Sequence, residues 1–405
     1  MKKIKHLLKM TVKVYRERGL ASLIQRIFSY VKEFARALFI RSGDALYISG
    51  CPGGSRFYRC RNQGEELELY GIKARAVSQD NLNLNMLVKK FKVFIFQRVI
   101  YNKHIESVIN FIKKEGKTII FETDDLVFDP RFISRMHYFN FFGEEEKGWY
   151  RNGIGREILE DPYVRDCIVS THYLADRLRE KYPRKNIFIS TNKLGNDQVR
   201  WAREALANKD KIKPKDGKVR IGYFSGSRSH DSDFETISKV LLRILRENKN
   251  VVLMTVGHLE LNGEFSRLKN QIEKFSFVPL KKLSELILRS DINVVPLEID
   301  NPFCQAKSAL KFFEAGVLEI PTVASATDSF QRVIENEKNG FLAKNENDWY
   351  KYLMLLIKNE NLRKEIGQNA RESSLEKHTT QKVHSDTEKL AKFIKQKIND
   401  SKSKK

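Results

Sequence analysis

The chain has only four cysteines in 405 residues, Cys51, Cys60, Cys167 and Cys304, and no two form a CxxC pair. Scattered thiols of this kind exclude a disulfide framework and argue against a zinc site. No apolar run approaches the ~18–20 residues that a membrane span needs. The N-terminus is basic, yet it lacks a compact apolar core followed by a small-residue cleavage site, so it does not read as a secretory signal. There is no internal repeat and no low-complexity segment apart from a lysine tail. A reducing cytoplasm is the compartment these absences predict.

A chain this long exceeds one ordinary core and predicts two domains of about 150–200 residues each. Hydrophobic content of 41% and aromatic content of 11% exclude global disorder. The net charge is +23, of which residues 1–40 supply +8 and residues 390–405 supply +5. An anionic partner follows, and nucleotides, anionic lipid and nucleic acid all qualify. Nucleic acid is disfavoured, because the excess is terminal, no recognised nucleic-acid motif appears and interleaved aromatics for base stacking are not grouped on one strand. No specific nucleic-acid partner is expected.

Residues 3–40 read as two helices broken at Gly19. In the second, Leu20, Leu23, Ile24, Ile27, Phe28, Val31, Phe34 and Leu38 keep helical spacing, with Arg26, Lys32 and Arg36 on the other faces. Such a helix suits either an anionic membrane surface or packing on the protein body. From residue 44 short apolar runs alternate with helical stretches: ALYIS (45–49), KARAVS (73–78), FKVFIFQ (91–97), KTIIFET (117–123) and DCIVS (166–170). After the polar stretch ANKDKIKPKDGK (207–218) the rhythm restarts with VRIGYFSG (219–226), NVVLMTVG (250–257), INVVPLE (292–298) and IPTVAS (320–325). Strand–helix alternation predicts parallel, doubly wound sheets, here two of them facing a cleft. The expected division is a basic helical extension over 1–41, a first domain over 42–206, a linker over 207–218, a second domain over 219–375, and a final helix with the lysine tail over 376–405.

Ligands of such sheets bind beyond the carboxyl ends of the strands. There the first strand runs into SGCPGGSRFYR, where Gly50, Gly53 and Gly54 precede Arg56 and Arg59. This is either an anion-binding turn or a tight turn with surface arginines. KTIIFET ends in Asp124 and Asp125, which suit acceptor binding, general-base chemistry or helix capping; capping is favoured for Asp125. No second carboxylate cluster has metal-ligand spacing, so no metal is expected. In the second half, Ser225, Gly226, Ser227 and Arg228 follow a strand and form a phosphate-friendly loop. In NPFCQAKSALKFFEAGVLEIPTVAS (301–325), Lys307, Lys311 and Glu314 fall on one stripe of a helix at about 100° per residue. A solvated face would explain that stripe, but its convergence with the phosphate-friendly loop favours a grip on an anionic, hydroxylated ligand.

With these segments together, the chain resembles bacterial glycosyltransferases of the GT-B fold, in particular relatives of glycosyltransferase family 4 from surface polysaccharide synthesis. The resemblance is carried by ISGCPGGSRFYRCRNQGEELELYGI, VFIFQRVIYN, KTIIFETDDLVFD, YFSGSRSHDSDF, AKSALKFFEAGVLEIPTVAS and NGFLA (339–343). It implies an α/β protein of two Rossmann-like domains and transfer of a hexose-type sugar from a nucleotide-diphosphate sugar, which is a substrate; no cofactor is implied. Ser225, Gly226, Ser227, Arg228, Lys307, Lys311 and Glu314 would hold the donor, with Glu314 on the ribose hydroxyls. Arg228 and Lys307 would stabilise the leaving diphosphate without a metal, and Asp124 would complete the catalytic set. Gly53, Gly54, Arg56, Arg98, Asp124 and Asp125 would line the acceptor side. The acceptor would be a glycan or lipid-linked molecule, reached from the cytoplasm at the inner face of the plasma membrane through the basic N-terminal helix. Two departures stand out: Ala306 occupies the place of a second family glutamate, and Asp124 the place where many relatives carry histidine. The alternative function is a non-catalytic GT-B scaffold or partner subunit of a glycan-assembly complex.

Overall fold

The computed structural model describes residues 40–51, 53–226, 231–261 and 263–400. The basic segment 1–39, with the amphipathic helix expected there, lies outside the described residues, as do Ser227 and Arg228. Twelve strands form two six-stranded sheets, and every strand pair is parallel. The first sheet contains β1 (Ala45–Ser49), β2 (Ala74–Ser78), β3 (Val93–Gln97), β4 (Thr118–Thr123), β5 (Asp166–Val169) and β6 (Asn186–Ile189), in the order β2-β1-β3-β4-β5-β6. The second contains β7 (Val219–Ser225), β8 (Val251–Gly257), β9 (Ile272–Phe275), β10 (Ile292–Val295), β11 (Thr322–Ser325) and β12 (Phe341–Ala343), in the order β12-β11-β10-β7-β8-β9. The central strands β1, β3, β7 and β10 are buried along their whole length. That burial follows from near-continuous apolar runs covered by helices on both faces.

Each sheet reverses its strand order beside its own first strand, between β1 and β3 and between β7 and β10. Connections leaving a sheet in opposite directions at such a point open a crevice at the strands' carboxyl ends. The helices that hold the layers apart are amphipathic. Lys103–Lys114 buries Ile105, Val108, Ile109 and Ile112 at helical spacing, and the Asn102 side chain caps it by accepting from the His104 and Ile105 amides at 2.9 and 3.2 Å.

Two stretches pack differently from their composition. Asn196–Ala207, read from sequence as the end of the first domain, buries Val199, Ala202 and Ala205 in the second domain's core beside Leu286 and Ile287. The polar stretch 207–218, read as a linker, is likewise fastened to the second domain, with Lys213 Nζ 2.7 Å from Asp291 Oδ1. Polar composition signals solvent contact, and one face of a docked segment has that contact anyway. The last helix, Ser385–Asp400, crosses back to the first domain: Leu390, Ala391, Ile394 and Ile398 share a cluster with Tyr47, Leu67 and Ile95. A buried ion pair locks this return, Lys193 Nζ lying 3.0 Å from Glu66 and 3.3 Å from Asp386.

Candidate active site

On the first domain, the site begins at Gly50. Its amide donates to the Gln97 carbonyl at 2.8 Å, and a Cβ there would come within 2.1 Å of the Arg98 carbonyl. Only glycine lets the chain leave β1 so close to β3. Gly53 sits at φ +78°, and neither Gly53 nor Gly54 has a neighbour that a Cβ would meet within 4 Å, so this turn has an open back. Ser49 Oγ donates to Gln97 Oε1 at 2.6 Å, Gln97 Nε2 to Ser55 Oγ at 2.8 Å, and Ser55 Oγ to Asp124 Oδ2 at 2.6 Å. This chain of bonds ties the ends of β1, β3 and β4 together. Arg98 completes it, with Nη1 3.4 Å from Asp124 and 3.7 Å from Asp125. Arg98 holds a left-handed φ of 44°, a strained conformation for a side chain of this size and one that clusters at functional sites.

Asp125 also caps the next turn, its Oδ1 accepting from the Leu126 amide at 2.8 Å. Burial raises its carboxyl above the usual range while Arg98 opposes the rise. Arg59, read as a possible anion ligand, is instead structural. It is 1% exposed, and donates from Nε to Glu122 Oε1 at 2.6 Å and from Nη1 to the Ser190 carbonyl and Asn192 Oδ1 at 2.7 and 2.8 Å. Burial pushes Glu122 up to about 7 against the pull of Arg59. Arg56 is half-buried on the same turn.

On the second domain, Ser225 ends β7 and Gly226 follows it, exposed. Gly257, at the end of β8 with φ +96°, stands where a Cβ would be 1.9 Å from the Ser225 carbonyl. The helix carrying the 307–314 cluster is shorter than the periodicity predicts. Pro302–Gln305 and Leu310–Gly316 are separate helices, and Lys307 lies in the turn between them, its amide bonded to the Cys304 carbonyl at 3.2 Å. The three groups converge all the same. Lys307 Nζ is 3.0 Å from Asp233 Oδ2, and Asp233, 2% exposed, also accepts from Cys304 Sγ at 3.1 Å. Lys311 lies 5.5 Å over the Tyr223 ring, and burial, with Lys307 nearby, lowers it to about 8. Burial raises Glu314, with Tyr58 and Lys311 opposing.

The two halves meet directly. Tyr58, on the π-helical turn Phe57–Asn62 that follows the glycine loop, donates its hydroxyl to Glu314 Oε1 and accepts from Gln198 Nε2 at 2.6 Å. Asn192 Nδ2 donates to Ser308 Oγ at 2.9 Å, and Lys307 lies within electrostatic reach of Asp125. Ala306 is fully buried in the first domain's apolar cluster with Phe303, and its carbonyl accepts from Thr171 Oγ1 at 3.4 Å. A carboxylate at 306 would be forced into that apolar contact, which accounts for the small residue. The structure therefore brings Asp124, Asp125 and Arg98 together on one wall and Lys307, Lys311 and Glu314 on the other. Tyr58, Glu122 and Asp233 went unassigned in the sequence, although each lies in a segment singled out there. Among the described residues no group of three or more His, Cys, Asp or Glu side chains could hold a metal ion.

Two doubly wound domains, a cleft between their switch points and a final helix returning to the first domain define the architecture, and solved structures share it. The fold is GT-B. Residues 207–373 match the family model described as glycosyl transferases group 1. Anabaena Alr3699/HepE in complex with UDP-glucose is 13% identical over 87% of this chain and 100% of its own, with a TM-score of 0.56. The sucrose-phosphate synthase of Thermosynechococcus elongatus is 12% identical over 88% of this chain and 99% of its own, with a TM-score of 0.59. WaaG, a glycosyltransferase involved in lipopolysaccharide biosynthesis, is 15% identical over 86% and 99%, with a TM-score of 0.55. No curated protein matches the sequence significantly. At these identities the likeness concerns the GT-B scaffold, and the chemistry rests on the side chains of the cleft.

Proposed function

We propose that the protein is a glycosyltransferase that moves a hexose from a nucleoside-diphosphate sugar to a glycan or lipid-linked acceptor in surface polysaccharide synthesis. The observation that carries this reading is the docking of the first domain on the Lys307–Lys311–Glu314 segment, through Tyr58 on Glu314 and Asn192 on Ser308, with the Arg98–Asp124 pair at the strand ends of the first sheet. Glu314 offers a carboxylate to two ribose hydroxyls at once. Lys307, Lys311 and Arg228, with the loop 225–227, offset the charge that develops on the diphosphate, so the reaction needs no metal ion. The acceptor oxygen forms its bond to the anomeric carbon as the bond from that carbon to the diphosphate oxygen breaks. The acceptor proton passes to Asp124 or to the leaving diphosphate, while Gly53, Gly54, Arg56, Arg98 and Asp125 line the acceptor's approach.

The UDP-glucose bound to HepE supports the donor class, and the stated role of WaaG supports the surface-glycan setting. The charge of +23, more than half of it terminal, supports work at an anionic membrane surface on the cytoplasmic side. Among the described residues no helix is long and apolar enough to cross a membrane. A second reading, a non-catalytic scaffold, draws on Ala306 and on Tyr58 occupying Glu314. Calorimetric titration with UDP, GDP, dTDP and CDP separates the two. One nucleotide should bind the wild type and bind more weakly to Glu314→Ala and Lys311→Ala. A folded wild type that binds none of the four leaves the scaffold reading standing.

A further inference from the structure

Asp233 is a buried carboxylate beside the donor lysines, and the proposed reaction leaves it without a role. It stands in the first turn of the helix Asp231–Glu247, which follows β7. Acidic residues are common in a first turn, where they face the positive end of the helix. The two oxygens of Asp233 nevertheless reach the segment that follows β10. Oδ1 accepts from Cys304 Sγ at 3.1 Å and from the Glu298 amide at 3.5 Å, and Oδ2 accepts from Lys307 Nζ at 3.0 Å. A fixed negative charge here repels a diphosphate, so its presence calls for a compensating gain.

The gain lies in the lysines. Two ammonium groups in one partly desolvated site each disfavour the other's charge, and Lys307 acts on Lys311 in this sense. Lys311 is faced by Lys307 from the turn, Glu314 from its own helix, Asp233 from the helix after β7 and the Tyr223 ring of β7. Glu314 already accepts from the Tyr58 hydroxyl. Asp125 of the first domain reaches Lys307 but also lies 3.7 Å from Arg98. Burial raises the Cys304 thiol, which therefore stays uncharged. Asp233 acts on both cations, bonding Lys307 and favouring the charged form of Lys311. We propose that Asp233 is the counter-ion that keeps Lys307 and Lys311 charged together, so that the donor's diphosphate meets two ammonium groups and not one. It is a positioning residue, acting through the lysines. The inference rests on the glycosyltransferase reading, whose donor site it completes. Without Asp233, Lys311 gives up its proton at lower pH, and a neutral amine does not offset phosphate charge.

The test titrates the full chain with inorganic pyrophosphate by calorimetry at pH 6 and pH 9. The quantity read is the ratio of the two Kd values, because the probe's own ionisation is common to every protein compared. In Asp233→Asn this ratio should exceed the wild-type ratio by about tenfold, the effect of losing an opposite charge at contact distance. Adding Lys311→Arg to Asp233→Asn should return the ratio to the wild-type value or below, since arginine keeps its charge. If circular dichroism shows Asp233→Asn unfolded, Asp233→Ser is read in its place. An unchanged ratio, whatever the affinity, would reduce Asp233 to a helix-end charge or a competitor for Lys307 and overturn the proposal. A double variant as pH-sensitive as the single one, or a wild type that binds no pyrophosphate, would overturn it too. Nucleotide titration of the wild type keeps the two readings apart. Nucleotide binding with an unchanged pyrophosphate ratio removes only the counter-ion role; a raised ratio with no nucleotide bound removes the transferase reading.

Discussion

Replacing Tyr58 by phenylalanine should tighten nucleotide binding. In the structure the Tyr58 hydroxyl occupies Glu314 Oε1, one of the carboxylate atoms that the proposed ribose contact requires. A donor nucleotide must therefore break this bond before it can make its own. A hydrogen bond to a charged group contributes a net ~1.5–3 kcal/mol, so its removal should lower the nucleotide Kd by roughly tenfold or more. Gln198 Nε2 loses its acceptor in the variant, but it does so in both the free and the bound protein, and the penalty largely cancels from the binding constant. The Tyr58 hydroxyl is held well above its ordinary value by burial and by Glu314, so it stays protonated and the gain should not vary between pH 6 and 9. The assay is calorimetry on wild type, Tyr58→Phe and Glu314→Gln with whichever nucleotide binds. Unchanged or weaker affinity in Tyr58→Phe, with the fold intact by circular dichroism, would refute the competition and place Tyr58 among the groups that hold the donor.

Three further outcomes follow from the same geometry. Lys311, lowered to about 8 by burial, loses its proton in the free protein as pH rises through that value, whereas a bound diphosphate favours the charged form. Nucleotide affinity should therefore fall above about pH 8 by up to tenfold per unit, and Lys311→Arg should flatten the profile in calorimetry at pH 7 and 9. Gly50→Ala would drive a methyl to within 2.1 Å of the Arg98 carbonyl, so it should cost about 2–3 kcal/mol or more in urea unfolding. His378, stacked at 3.9 Å on Phe313, is lowered to about 3 by burial, so the folded protein binds fewer protons there than the unfolded chain. Stability should drop as pH falls below about 6.5, by roughly 1.4 kcal/mol per unit, and His378→Phe should remove that part of the acid sensitivity.

Much of the fold was legible because its physics is local. Nine of the twelve strands coincide with apolar runs visible in the sequence, and the crevices follow from where those strands end. The three it did not reveal are weak by nature: β6 and β9 are half-exposed edges, and β12 has three residues. Helix continuity was over-read at 307–314, where the charged stripe keeps helical spacing across a turn that separates two short helices. The glycines of the first loop and the residues proposed for the chemistry, Asp124, Lys307, Lys311 and Glu314, were picked out from strand ends, composition and resemblance.

The sequence by itself determined the two parallel sheets, the cleft between them and the identity of the residues at its rims, because period, strand-end position and glycine placement are properties of neighbours in the chain. Tertiary structure alone decided which of those residues face each other and what each is already bonded to. Arg59 is consumed by Glu122 across 63 residues, Lys307 meets Asp233 across 74, and Tyr58 reaches Glu314 across 256. Such pairings depend on how two independently patterned layers dock, and no local periodicity encodes that distance.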